Sequence, residues 1–173
     1  MDVPVKYLAA VLFSPGFDLE QDLYPELEKL FGPVDSRSED YRFDMTDYYS
    51  AEMGKGLQRR ILSFSGLESA ALLAEKKLAC RRLEDSFSRG QRRRVNIDPG
   101  YIDFFKLVLA SFKEAPQKIY LGSSVFADMV LLYQDGEFRV LPWTFPDFRK
   151  GIYMEYLHRV RELYRMEMRE RRD

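Results

Sequence analysis

Residues 5–13 form a run that is apolar but for Lys6 and stops at Ser14-Pro15-Gly16, and the rest of the chain has to be arranged around it. An apolar stretch of this length bounded by turn residues suits a central strand. The 173 residues allow one α+β domain over 1–173, or two lobes, 1–98 and 99–173, sharing one core. Hydrophobic residues at 46% and aromatics at 14% supply enough apolar surface for a packed interior and argue against disorder.

The order of elements after that run defines the fold expectation. Asp18 with Gln21 offers a capping-box start to a helix that ends at Gly32-Pro33, with Pro25 in its first turns or kinking it. Residues 34–44 hold one or two short strands, and 57–64 reads as another. Residues 68–87 carry a helical stripe through Leu72, Ala79 and Leu83, flanked by Leu73, Cys80 and Phe87. Residues 92–97 return to strand. The pattern β-α-β-β-α-β is that of a ferredoxin-like split unit. In the second half, 101–112 is apolar and reads as a helix. Two strands then follow at 118–122 and 125–133. Asp135-Gly136 marks a hairpin into a strand at 138–141. A last helix places Tyr153, Tyr156, Leu157, Val160 and Tyr164 on one face. The expected architecture is therefore a ferredoxin-like first half extended by a helix, an antiparallel hairpin sheet and a C-terminal helix.

Composition excludes several chemistries. Cys80 and His158 are single residues, so no intramolecular disulfide and no Cys/His zinc site can be assembled. Serine-histidine or cysteine-histidine catalysis would need His158, which lies on an amphipathic helix away from any nucleophile motif. Charged residues make up 32%, yet the formal net charge is -1, so bulk charge does not suggest a polyanion partner. The N-terminus lacks the basic start and small-residue cleavage site of a signal peptide, and its apolar run is too short to span a bilayer. The expectation is a soluble cytoplasmic protein with no membrane partner.

Candidate chemistry concentrates in three segments. Asn96-Ile97-Asp98-Pro99-Gly100-Tyr101 combines an amide, a carboxylate and a phenol. Asp-Pro-Gly is common turn chemistry, so a purely structural turn stays open beside a functional site. Asn96 and Asp98, at i and i+2, leave a strand on one side and can hold a hydroxyl, an ammonium or a hydrated cation. Asp98 is a candidate base if burial raises its pKa. Trp143-Thr144-Phe145-Pro146-Asp147 resembles a mixed pocket lining, with a core Trp143 and a helix-capping Asp147 as the structural alternative. Phe43 to Tyr49, including Thr46 and Tyr48, with Glu52-Met53-Gly54, offers aromatics beside carboxylates. Its spacing fits no calcium loop, so no metal ligands are assigned. The basic run 89–94 lacks interleaved aromatics, which makes nucleic acid an unfavoured partner. Gly54-Lys55-Gly56 lacks phosphate-loop spacing.

Taken together, these blocks resemble the prokaryotic family known as domain of unknown function 4416. The resemblance rests on Phe43 with Thr46-Asp47-Tyr48-Tyr49 and Glu52-Met53-Gly54, on residues 95–101, on 106–111, on Ile119-Tyr120-Leu121-Gly122 and on 143–147. It departs at Ala79-Cys80, where the family shows Thr-Asn, and at Phe126-Ala127-Asp128, where it often shows Tyr-Ala-Glu. The resemblance implies unity of the chain and imports no activity or cofactor. The expected function is a pocket for a small polar or anionic metabolite, with carboxylate acid–base chemistry by Asp98 if it is an enzyme. Ligand contacts fall to Asn96, Tyr101, Thr46, Tyr48, Trp143, Thr144 and Asp147. The alternative is an interaction module that binds a protein or RNA through its sheet or the edge at Arg89, Arg92, Arg93 and Arg94.

Overall fold

Strand β1 (Pro4–Phe13) is the spine of the sheet in the computed structural model, which describes residues 2–44, 49–90 and 92–171. Every residue of 5–13 is buried, as expected of a strand covered on both faces. It pairs antiparallel with β4 (Gln58–Phe64) on one side and β6 (Val95–Ile102) on the other. Beyond β4 lies β2 (Val34–Arg37), and beyond β6 lie β7 (Lys106–Ser111), β9 (Val125–Gln134) and β10 (Glu137–Val140). The order is β10-β9-β7-β6-β1-β4-β2. Short strands β3 (Tyr41–Arg42), β5 (Glu68–Ser69) and β8 (Ile119–Gly122) join β4, β1 and β9.

Alternation along β1 sends its side chains into two separate cores. Val5, Tyr7, Ala9 and Val11 pack with Leu27 and Phe31 of α1 (Tyr24–Phe31) and with Leu73 and Cys80 of α3 (Leu73–Ser86). Leu8 and Ala10 face the other way, onto Tyr156, Leu157 and Val160 of α5 (Met154–Glu170). The result is three layers, with α1 and α3 on one face and α5 on the other. Lys6 ties the third layer down. It is 0% exposed, and its Nζ donates to Asp35, Glu167 and the Phe64 carbonyl at 2.6, 2.7 and 2.8 Å.

Local sequence accounts for the helix boundaries. The Asp18 carboxylate accepts from the amides of Glu20 and Gln21, capping a π turn at Leu19–Leu23 that runs on into α1. Pro25 sits in the first turn of α1, where its missing N–H is not needed. Residues 68–72 form β5 and a 3-10 turn instead of the start of the expected helix, so α3 begins at Leu73. Two short helices, α2 (Ser50–Met53) and α4 (Pro146–Arg149), complete the helices among the described residues.

Two expectations are overturned, and both concern β6 and β7. Residues 101–112 are not a helix: Tyr101 and Ile102 finish β6, Asp103 makes the turn and 106–111 is β7. The Asp103 Oδ1 accepts from the amides of Phe105 and Lys106 at 2.7 and 2.9 Å, which closes the hairpin. Leu107 to Ala110 are consecutively buried, and a short apolar run of this kind does not distinguish helix from strand. Asp98-Pro99-Gly100 is likewise no turn, but lies inside β6. Gly100 is there for close approach, since a Cβ would lie 2.1 Å from the Val108 carbonyl oxygen and 2.5 Å from Leu109 Cδ2.

That contact yields a stability prediction. Gly100→Ala should force β7 away from β6 and destabilise the fold by about 2 kcal/mol, read as a lower urea midpoint. A midpoint equal to that of wild type would contradict the close packing of these strands.

Candidate functional site

The β6–β7 ladder stops at the Gly100–Leu109 pair, while β6 continues along β1 as far as Val95. Beyond that point the two strands part. Residues of an antiparallel strand aim their N–H and C=O alternately at the two neighbours. Tyr101, Pro99 and Ile97 therefore address the β7 side. Pro99 has no N–H to leave unpaired at the opening, which explains a proline within a strand of the sheet interior.

Ile97 still has both groups to satisfy, and α3 supplies the partners. Its N–H donates to Glu84 Oε1 at 2.6 Å, and its C=O accepts from Lys77 Nζ at 2.9 Å. Lys77 and Glu84 are seven residues apart and so share one helix face. They lie on the buried stripe with Leu73 and Cys80. By register, Asp98 belongs to the α5 face of the sheet, opposite α3. Lys77 Nζ nonetheless reaches Asp98 Oδ1 at 2.9 Å, through the gap between the strands.

A polar chain continues from there. Asn96 Nδ2 donates to Asp98 Oδ2 at 3.0 Å, and Asn96 Oδ1 accepts from Arg93 Nη1 at 3.0 Å. Arg93 grips Glu52 of α2 with two bonds of 2.6 and 2.7 Å and lies 3.4 Å from Glu84. Burial alone would raise the Asp98 carboxyl, but Lys77, Arg59 and the Asn96 amide outweigh it and hold the pKa below the ordinary aspartate value. Burial pulls Lys77 the other way, yet Asp98 and Glu84 leave its pKa raised. Glu84 is raised, chiefly by burial.

The fork opens into a cleft of about 320 Å³. Lys77, Arg81, Arg93, Lys113 and Lys118 line it, against the carboxylates of Asp98 and Asp128. Leu109, Ala110, Phe112 and Phe145 supply apolar wall. On the far side Lys118 Nζ donates to Ser111 Oγ at 2.9 Å and stands 3.4 Å from Asp128 Oδ2. Burial raises the Asp128 carboxyl, and Lys118 offsets only part of that.

Of the residues singled out in the sequence, Asn96 and Asp98 meet in this cleft. Tyr101 and Trp143 line a different, apolar groove of about 600 Å³, and the Trp143 indole donates to the Met129 carbonyl at 2.8 Å. Thr144 is buried as a loop staple, donating to the Val130 carbonyl and accepting from the Leu141 amide. Asp147 is buried between Arg59, at 3.4 Å, and the Tyr153 hydroxyl, at 3.1 Å. Phe145, from the same segment, reaches the cleft. Thr46 and Tyr48 lie outside the described residues.

The sequence reading missed Lys77, Glu84 and Lys118, assigned Arg93 to an outer edge, and noted Asp128 only as a departure from the family pattern. A signal was present for the first two: charges at 77 and 84 interrupt an apolar helix stripe through 73 and 80, and a buried charge demands a partner. Cys80 is buried, with its thiol pushed up to about 12 by that burial, and is inert. His158 packs against the rings of Tyr133 and Phe138. Among the described residues no group of His, Cys, Asp and Glu is placed to hold a metal ion, and no helix is long and apolar enough to cross a membrane.

The fold and cleft define an α+β protein with a large antiparallel sheet, layered by helices and forked at one internal pair of strands. The chain belongs to the family described as Domain of unknown function (DUF4416), whose model matches residues 3–164. No curated protein and no solved structure matches it.

The Lys77–Asp98 pair sets an acid-stability prediction. Asp98→Asn leaves the buried Lys77 charge with a neutral neighbour and should cost about 2–3 kcal/mol at neutral pH. Because the folded pKa of Asp98 is depressed, its contribution is complete above the unfolded value of about 4 and is lost as pH falls through the folded value. The stability gap between wild type and variant, followed by urea unfolding, should therefore narrow on acidification. A gap unchanged with pH would contradict the ion pair.

Proposed function

We propose that the β6–β7 fork binds a small anionic metabolite through a phosphate or carboxylate group. The observation that carries this reading is a concave site lined by five cationic side chains, Lys77, Arg81, Arg93, Lys113 and Lys118, against two carboxylates, Asp98 and Asp128. Asp98 answers Lys77 and Glu52 answers Arg93, while burial raises the carboxyls of Glu84 and Asp128 and so disfavours their charged forms. Low-dielectric walls focus such a field and concentrate anions. The volume lies at the small end of ligand pockets, roughly 300–1,000 Å³, which suits a metabolite and not a polymer.

On this reading Asp98 is an ionised orienting group for Lys77 and Asn96. Its depressed pKa counts against a role as catalytic base. An interaction module working through an open sheet is less well supported. Helices cover both faces of β1, and Arg93 of the basic run turns inward onto Glu52 and Asn96. The order β6-β1-β4-β2, with α1 and α3 on one face, supports a ferredoxin-like reading of the first half. A chain with a single, buried cysteine suits a cytoplasmic location.

A thermal-shift series tests the proposal. Inorganic phosphate or a simple phosphate ester, in hundredfold excess over its Kd, should stabilise the wild type by about 2.7 kcal/mol, raising Tm by roughly 5–10 °C. Lys118→Met should weaken that effect about tenfold in ligand concentration, whereas Arg89→Ala on the outer edge should leave it intact. No stabilisation by phosphate or carboxylate compounds, or an effect indifferent to Lys118→Met, would rule the site out.

A further inference from the structure

Asp128 occupies the cleft wall opposite Asn96 and Asp98 in a way that packing does not explain. It is 1% exposed and lies on β9, paired in register with Leu109 of β7. Its Oδ2 faces Lys118 at 3.4 Å, but its Oδ1 is buried with no hydrogen-bond partner. An unsatisfied carboxylate oxygen in a buried position is costly, and natural folds keep few of them without a role. Leu109 and Ala110 beside it are apolar and offer no donor. The terminal torsion of the carboxylate is soft, so a partial rotation swings the unpaired oxygen toward the cleft that Asp128 lines.

We infer that Asp128 is the specificity residue of this cleft, accepting a hydrogen bond from a hydroxyl of the ligand whose anionic group is held by the surrounding cations. The inference rests on the anion-binding reading and narrows it to a hydroxylated phosphate, such as a phosphorylated polyol. A carboxylate oxygen accepts only from a donor, which excludes bare anions and purely acceptor ligands as the best fit. An ammonium donor would be repelled by Lys77, Arg81, Arg93, Lys113 and Lys118, whereas a neutral hydroxyl is not. A doubly charged phosphate matches that same set better than a single carboxylate.

The chemical logic is asymmetric. A ligand lacking the hydroxyl would leave the Asp128 oxygen unpaired in a closed site, and sites built on hydrogen bonds reject such analogues strongly. Removing the carboxylate should abolish this discrimination without removing the anion site. It should even strengthen simple phosphate binding, because Lys118 would then lose its neutralising neighbour.

The test is calorimetric titration of the full chain at pH 8 with three probes: inorganic phosphate, propyl phosphate and glycerol 3-phosphate. In the wild type, glycerol 3-phosphate is expected to bind at least about tenfold more tightly than propyl phosphate, a difference of about 1.4 kcal/mol. In Asp128→Ala the two esters should bind equally, with propyl phosphate bound no more weakly than by wild type. Asp128→Asn should also lose most of the preference. Each ratio is internal to one protein, and the wild-type ratio decides the matter even if a variant folds poorly. Equal binding of both esters by wild type, or a preference surviving in Asp128→Ala, would overturn the role of Asp128 while leaving the anion site standing. Binding of none of the three probes would overturn the anion site itself and this inference with it.

Discussion

Everything distinctive about this protein follows from the way the backbone of one residue, Ile97, meets its hydrogen-bonding needs. A strand buried in the middle of a sheet ordinarily satisfies its backbone through both neighbours, and leaving a buried donor or acceptor unpaired costs about 1–3 kcal/mol. At Ile97 the β7 neighbour has already departed. Lys77 and Glu84 replace it, each reaching from the helix layer to do what a strand would have done. The replacement brings two charges into the interior, and those charges require the rest of the network.

The dependence runs in one direction. Lys77 is buried and needs a counter-charge, which Asp98 provides. Asp98 is oriented by Asn96, Asn96 by Arg93, and Arg93 is anchored by the two oxygens of Glu52. One wall of the cleft is therefore a rigid polar chain running from α2 to α3 through β6. The other wall, built from β7, β9 and Lys118, contributes further cations and the unsatisfied Asp128. Networks of this kind hold a geometry when fully satisfied, and their few unsatisfied atoms mark places where a ligand can contribute.

The sequence made the outline of the fold legible because β1, the Asp18 cap, the Asp135-Gly136 hairpin and the aromatic face of α5 each rest on local rules. Asp135 and Gly136 both take positive φ, as the tight turn between β9 and β10 requires. The fork was not legible for the opposite reason. Pro99 and Gly100 have strong turn propensity in isolation, and only the placement of β7 makes Gly100 a contact residue at the ladder end and Pro99 the first residue beyond it. Asn96 and Asp98, two of the eight residues expected at the site, still lie together in the cleft, since they share a side whether the chain turns after them or continues. Trp143, Thr144 and Asp147 were chosen for residue type, and the structure assigns Thr144 and Asp147 to buried hydrogen bonds and Trp143 to a separate groove.

The most direct test is an amide and side-chain amide NMR titration of the wild type with inorganic phosphate, in a buffer free of other multivalent anions. Shifts should concentrate at the Asn96 side-chain amide, Ile97, Ser111 and Lys118, the residues that frame the fork. Shifts confined to Arg89, Arg92 and Arg94 on the outer edge, or no saturable shifts at all, would contradict the assignment of the fork as the binding site.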